Sequence, residues 1–285
     1  MGYKKPSEVT RTYLENAALP NHAESYTVIS HKFVIDNTIK MLTDSGFRIT
    51  QEIYRANQGA NVAQGIYYIV PTTQDVEIQN EKELGMMFAW TNSYDKSIRF
   101  QCSIGAHVFV CNNGMVCGEM NYARRHSGSA DYDILTQISS QIKNAEKTFK
   151  TILKDRDALR KIDLKKRNQA ELLGRLYYEE EILEATQMTV VKDEMDKASF
   201  DYQADQENAW VFYNHVTHAL KKTHPRSWLS NTKQFHDFIT TEFLSNVAQV
   251  NTDNIKVLDD EAINNVEVDF EEIPNGVKHA VGLFD

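Results

Sequence analysis

Cysteine is scarce in this 285-residue chain: Cys102, Cys111 and Cys117 are odd in number and set inside apolar segments. That usage suits small buried residues in a reducing compartment better than a disulfide framework. Long hydrophobic runs are missing too. Nothing approaches the roughly 18 apolar residues needed to cross a bilayer. The start, MGYKKPSEVTRTYLEN, lacks the apolar centre of a signal peptide. The expectation is a cytoplasmic protein with no membrane partner. The sequence also has no Walker-type loop, Gly-x-Gly-x-x-Gly turn, Gly-x-Ser-x-Gly elbow or HExxH pair. Nucleotide binding and hydrolysis through those devices are not supported, and no cofactor is expected.

What is present is a hydrophobic fraction of 41%, enough for a sizeable core, and a formal charge of -9 that is unevenly spread. Residues 252–285 hold nine Asp/Glu against Lys256 and Lys278, a net of -7. The preceding 251 residues therefore carry only -2, so the body is close to neutral.

Patterning points to an α+β fold: an antiparallel sheet with an N-terminal helix and a long basic helix, followed by a mostly helical C-terminal part. Ser30 can cap a helix over about 31–45, and Gly46 can stop it. FRITQEIYRANQG and NVAQGIYYIVPTT read as a hairpin turning at NQGAN, and LGMMFAWTNS and SIRFQCSIGAHVFVCNN supply further strands. One long helix is expected from about Asp131 into the 160s, with Ile138, Ile142, Ala145, Phe149, Ile152 and Leu159 as an apolar stripe broken only at Arg156. MTVV reads as extended, while NAWVFYNHVTHALKK and TKQFHDFITTEFLSNVAQV read as helices, with Pro225 as a stop signal between them. The resulting organisation is an N-terminal arm (1–29), a sheet domain with the long helix (30–170), a helical part packed on it (171–251) and an acidic, flexible tail (252–285).

Metal chemistry has weak support. Cys111 and Cys117 are six apart, with His107 and His126 nearby, whereas structural zinc ligands pair at two to four residues. His215 and His218 share a helical face, but no acidic third ligand stands at a recognisable offset. No catalytic and no metal residue is assigned. The basic features carry more weight. Residues 143–175 hold eleven Lys/Arg against five Asp/Glu. Lys147, Lys150, Lys154, Lys161 and Lys165 form a stripe that, with Arg124, Arg125 and His126, could contact phosphates; Tyr54 and Tyr67 are candidate stacking platforms. Asn92, Asp95, Lys96, Asn113 and Gly114 are read as structural turn residues.

The stretches SHKFVIDNTIKMLTDSGFRI, NSYDKSIRFQCSIGAHVFVCNNGMVCGE, ARRHSG and NAWVFYNHVTHAL occur in that order over about residues 30–240. In this the chain resembles the phage- and plasmid-borne family called domain of unknown function 932. The matching elements are Asn92, Ser93, Asp95, Lys96 and Ser97; then Gly105, Val108, Phe109, Val110, Cys111 and Asn113; then Arg124 or Arg125 with His126. Met115, Val116 and Cys117 depart from the family pattern, which weakens a catalytic part for Cys117. The resemblance implies a mobile-element protein acting in the host cell, where replication, recombination and counter-defence are the usual tasks. The layout is also similar to that of single-strand annealing proteins. The favoured expectation is a non-enzymatic, oligomeric binder of single-stranded or double-stranded DNA. The rival is a protein–protein module that inhibits a host defence enzyme, with the acidic tail recruiting a host or phage protein. A metal-dependent nuclease is a third and weaker reading, because no carboxylate cluster with metal spacing stands out.

Overall fold

The computed structural model describes residues 7–20, 28–72, 75–117, 121–122 and 130–253. Residues up to Ser245 form one compact unit; of the second unit, Asn246–Asp285, helical backbone is described as far as Asp253. In chain order the elements are β1 (Ser7–Val9), α1 (Arg11–Glu15), α2 (His31–Asp44), β2 (Phe47–Ala56), β3 (Val62–Pro71), α3 (Val76–Gln79), β4 (Leu84–Ser93), β5 (Gln101–Val108), β6 (Gly114–Val116) and β7 (Asn121–Tyr122). The helices α4 (Ala130–Lys143), α5 (Ala145–Leu159), α6 (Lys166–Tyr178), α7 (Ala185–Asp196), α8 (Ala209–Leu220) and α9 (Pro225–Asp253) follow. The fold is α+β, with an antiparallel sheet in the order β1-β2-β3-β4-β5-β6 and β7 also paired to β5.

Strand β2 shows how the pattern chooses a face. Phe47 and Ile49 are odd-numbered and Tyr54 and Ala56 even-numbered, yet all four belong to the main core. A bulge between Ile49 and Gln51 reconciles them: Thr50 is the extra residue, and the faces change parity there. The main core lies on that face, where α2 packs on β2 and both α4 and α5 pack on β5. The opposite face carries a smaller cluster of Ile66, Tyr68, Met87, Ala89 and Val116, covered by Trp228 and Leu229 from the first turn of α9. Because both faces are covered, β5 is buried along its whole length and β3 and β4 almost so. This is why these antiparallel strands read as apolar runs instead of alternating.

The expected long helix is two helices. Asn144 interrupts it at the N-cap of α5, and its side chain turns back to Ser140 O at 3.1 Å. Arg156, the one break in the apolar stripe, sits there to be paired: its Nη1 lies 2.7 Å from Glu81 Oε1 and 3.4 Å from Glu83 Oε2, with both Arg156 and Glu81 side chains only 11% exposed. Glu83 Oε1 also accepts from Arg160 Nη2 at 2.6 Å and Trp210 Nε1 at 2.9 Å. MTVV is helical, within α7, because Val191 belongs to the buried face of an α7–α8 pair. The helix over NAWVFYNHVTHAL is buried nearly all round, not on one face.

Gly65 faces Trp90 across the β3–β4 ladder, and a Cβ built there would lie 2.4 Å from the indole Nε1. Trp90 cannot swing away without losing the bond from its Nε1 to Tyr67 Oη at 3.1 Å. The substitution Gly65→Ala is expected to destabilise the protein by about 1–3 kcal/mol, as overpacking of a filled core does. Chemical denaturation of this variant beside Ala63→Gly, which removes atoms at a neighbouring position, measures the difference; a loss below 0.5 kcal/mol, taken as roughly the size of an ordinary surface change, contradicts this packing.

Candidate nucleic-acid interface and the signature turns

The turn motif NSYDKS and the helix start SHKF meet in space. Ser30 accepts from Phe33 N at 3.0 Å, and the His31 N–H, one of the first free donors of α2, is taken by Tyr94 Oη at 2.8 Å. The His31 ring is stacked on Tyr94 at 3.9 Å between centroids. Asn92 Nδ2 donates to Ile29 O at 2.9 Å and to His31 Nδ1 at 3.0 Å, which leaves His31 Nε2 as the donor to Ala60 O at 2.8 Å. This assigns a neutral Nε2–H tautomer. Burial drives the His31 pKa down to about 4, with the Ala60 bond resisting only in part. Asn92 is therefore a buried clasp. Asp95 Oδ1 accepts from Ser97 N at 2.9 Å, and Lys96 sits at φ 59°, so these two residues shape the bend itself. Asn113 does not cap its own turn; its Nδ2 reaches Asn214 O on α8 at 2.9 Å, and Gly114 packs under the Trp228 ring.

The expected stacking platforms are placed otherwise. Tyr54 and Tyr67 are buried in the main core, where the Tyr54 hydroxyl bonds Glu52 Oε2 at 2.5 Å and Tyr67 Oη at 3.4 Å. Neither presents a ring face to solvent, because the parity of β2 and β3 points them inward. Tyr68 and Tyr94 are likewise covered, by His107 and His31.

The stripe of lysines divides. Lys150 Nζ lies 2.6 Å from Asp75 Oδ2 and 3.5 Å from Glu77 Oε2, and Lys165 Nζ lies 2.9 Å from Glu207 Oε2 and 3.1 Å from Asp163 Oδ2. Both are spoken for by carboxylates that stand far away in sequence or across a turn. Lys147 and Lys154 are exposed on one line of α5, and Lys161 is exposed just beyond its end; none of the three pairs with a carboxylate among the described residues. Lys143, Lys166 and Arg167 share that exposed, unpaired state. Arg124, Arg125 and His126 lie outside the described residues.

No group of three or more His, Cys, Asp or Glu among the described residues could hold a metal ion. The carboxylate absent from the spacing around His215 and His218 does exist in space: Glu194 of α7 lies 3.8 Å from His215 Nδ1 and 3.9 Å from His218 Nε2. It is held instead by Ser199, whose hydroxyl and N–H donate at 2.5 and 2.9 Å. All three thiols are free, and burial pushes each upward in pKa, Cys117 to about 12, away from nucleophilic character. Sequence reading overlooked a basic corner: KKTHPR, residues 221–226, joins α8 to α9, and Arg55 of β2 reaches it through a bond from Nη2 to Thr223 O at 2.7 Å. The clustered Lys, His and Arg around Pro225 were the available signal.

The described residues form an α+β fold in which an antiparallel sheet with both faces covered, turn residues used as clasps and a lysine-bearing helical layer come together. The family model described as Domain of unknown function (DUF932) matches residues 18–259, and the chain belongs to that family. No curated protein and no solved structure matches it. No helix among the described residues is long and apolar enough to cross a membrane.

His31, His107 and His215 are each lowered to about 4, chiefly by burial. A histidine near 6.5 unfolded and 4 folded contributes its stability fully above pH 6.5 and loses it as pH falls toward 4, since the unfolded chain then binds the extra proton. Urea unfolding should show a loss of about 2 kcal/mol per such histidine at pH 5 relative to pH 7.5. His107→Phe keeps the ring that stacks on Tyr68 at 3.6 Å and should flatten the profile by about one proton; an unchanged slope contradicts the neutral buried state.

Proposed function

We propose that the protein is a non-enzymatic binder of nucleic acid that serves recombination or replication of a mobile element. One observation carries this reading: Lys143, Lys147, Lys154, Lys161, Lys166 and Arg167 are exposed on α4, α5, α6 and the turn between the last two, without carboxylate partners among the described residues, although the molecule has an excess of acid. Cations left unpaired in an acidic protein are available to phosphates, and their binding releases counterions from the strand. With Tyr54 and Tyr67 withdrawn into the core, recognition rests on phosphate contacts and not on base stacking, so little sequence preference is expected.

A second reading is a protein–protein module acting on a host defence enzyme. Phe109 and Val110 favour it: they are consecutive, each 49% exposed, and stand at the turn after β5.

Titration of a fluorescent oligothymidylate against salt separates the two. Wild-type affinity should fall steeply from 50 to 200 mM salt, and the triple variant Lys147→Glu, Lys154→Glu, Lys161→Glu should bind at least about tenfold more weakly, with a salt slope shallower by about 2. Binding that is absent at low salt, or indifferent to the triple variant, overturns the nucleic-acid reading and leaves the Phe109–Val110 surface.

A further inference from the structure

The corner between α8 and α9 gathers cationic groups from distant parts of the chain. Arg55 is half-buried, yet its guanidinium has no carboxylate partner among the described residues. It is held by neutral oxygens only, Nη1 on Gln64 Oε1 at 3.1 Å and Nη2 on Thr223 O at 2.7 Å. Two of its five N–H donors are thereby used. Burial lowers its pKa and Glu8, which makes no ion pair with it, offsets this only in part. Gln64, fully buried, holds its Oε1 against Arg55 while its Nε2 has no hydrogen-bond partner among the described residues.

His224 and Arg226 stand beside it. The Arg226 N–H donates to His224 Nδ1 at 3.1 Å, so the neutral ring carries its proton on Nε2 and remains a donor there. Thr223, whose carbonyl accepts from Arg55 Nη2 at 2.7 Å, directly precedes His224, and burial lowers the His224 pKa first, with Arg226 and Arg55 adding to the fall and Asp95 opposing it. Two carboxylates oppose the cluster: Glu8, the cross-strand neighbour of Arg55 on β1, and Asp95, whose Oδ2 lies 3.4 Å from Arg226 Nη2 in a long and exposed contact. The N–H groups of Ser227 and Trp228 are already taken by His224 O at 3.0 Å, so the anion-attracting feature is the side-chain cluster and not the helix end. A half-buried arginine without a carboxylate, a second arginine only loosely engaged and a histidine N–H donor are the groups that recognise a tetrahedral oxyanion.

We infer that Arg55, His224 and Arg226 form an oxyanion site that takes a phosphoryl group. The site is separate from the lysines of α5 and α6 and does not depend on them. Its chemistry fits a free phosphate or mononucleotide as well as one phosphate of a polynucleotide strand.

Isothermal titration of the full chain with inorganic phosphate, at an ionic strength fixed with sodium chloride, tests it directly. The wild type should bind, Arg226→Gln should weaken binding at least tenfold, and Asp95→Asn should tighten it. The asparagine keeps the Oδ1 acceptor for Ser97 N while removing the competing charge, so a merely structural role for Asp95 would not give a gain. The triple lysine variant should bind phosphate like wild type even if its oligonucleotide binding is lost, which keeps the two proposals distinguishable. No phosphate binding by wild type, or equal binding by wild type, Arg226→Gln and Asp95→Asn, overturns the site. The carrier is read from a 5′-phosphorylated mononucleotide and an oligothymidylate titrated in parallel. A tenfold loss for Arg226→Gln with both assigns the strand, and a loss with the mononucleotide alone assigns the small ligand.

Discussion

The carboxylate of Glu83 is the point on which the layers depend. It stands immediately before β4 and receives Arg160 from the end of α5, Trp210 from the first turn of α8 and, more distantly, Arg156. Glu81 completes the arrangement by accepting Arg156 together with the Glu83 and Leu84 N–H groups. A central strand, the helix against the sheet and the all-round buried helix α8 are thus fixed by one cluster. Partly buried ion pairs owe their value to full occupation of donors and acceptors, because a single unpaired member left behind is costly. That explains why an arginine interrupts an otherwise regular apolar stripe on α5.

The same economy of charge divides the basic residues into two populations. Arg156, Arg160, Arg175, Lys150 and Lys165 are matched by carboxylates and serve the fold. Among the described residues, the remaining lysines of that layer are exposed and unmatched, and Arg55 is half-buried and makes no ion pair. Sequence counting treats these alike. Only the positions of Asp75, Glu81, Glu83 and Glu207, brought in from elsewhere in the chain, separate a structural cation from an available one.

Helix α2 and the hairpin of β2 and β3 were legible because their signals are local: a serine cap, a glycine stop, the Asn and Gly residues of NQGAN and β-branched runs. The break at Asn144 was not, since the apolar spacing continues across it and a side chain bonding back to Ser140 leaves no periodic trace. MTVV misled because β-branched propensity gave way to packing against α8. Tyr54 was misplaced because the bulge at Thr50 reverses the parity that would assign its face, and Tyr67 because Tyr67 and Tyr68 are consecutive on a strand buried on both faces, so alternation does not tell which side is open. The motif NSYDKS was recognisable as a pattern, but its partner, His31, lies more than sixty residues earlier, and only the fold joins them. The corner at Arg55 and His224 has the same origin, two segments far apart in sequence meeting across the smaller core.

Strand β2 carries one residue that belongs to neither of its halves. Phe47 and Ile49 face inward on one side of Thr50, and Tyr54 and Ala56 on the other, so the count of residues between the two pairs is itself part of the information that folds the chain. Shortening or lengthening this segment by one would turn either half inside out, exposing Phe47 or Tyr54 and burying Arg48 or Arg55. A change of two would keep both halves correctly oriented. Length variation among relatives at this strand should therefore come in even steps.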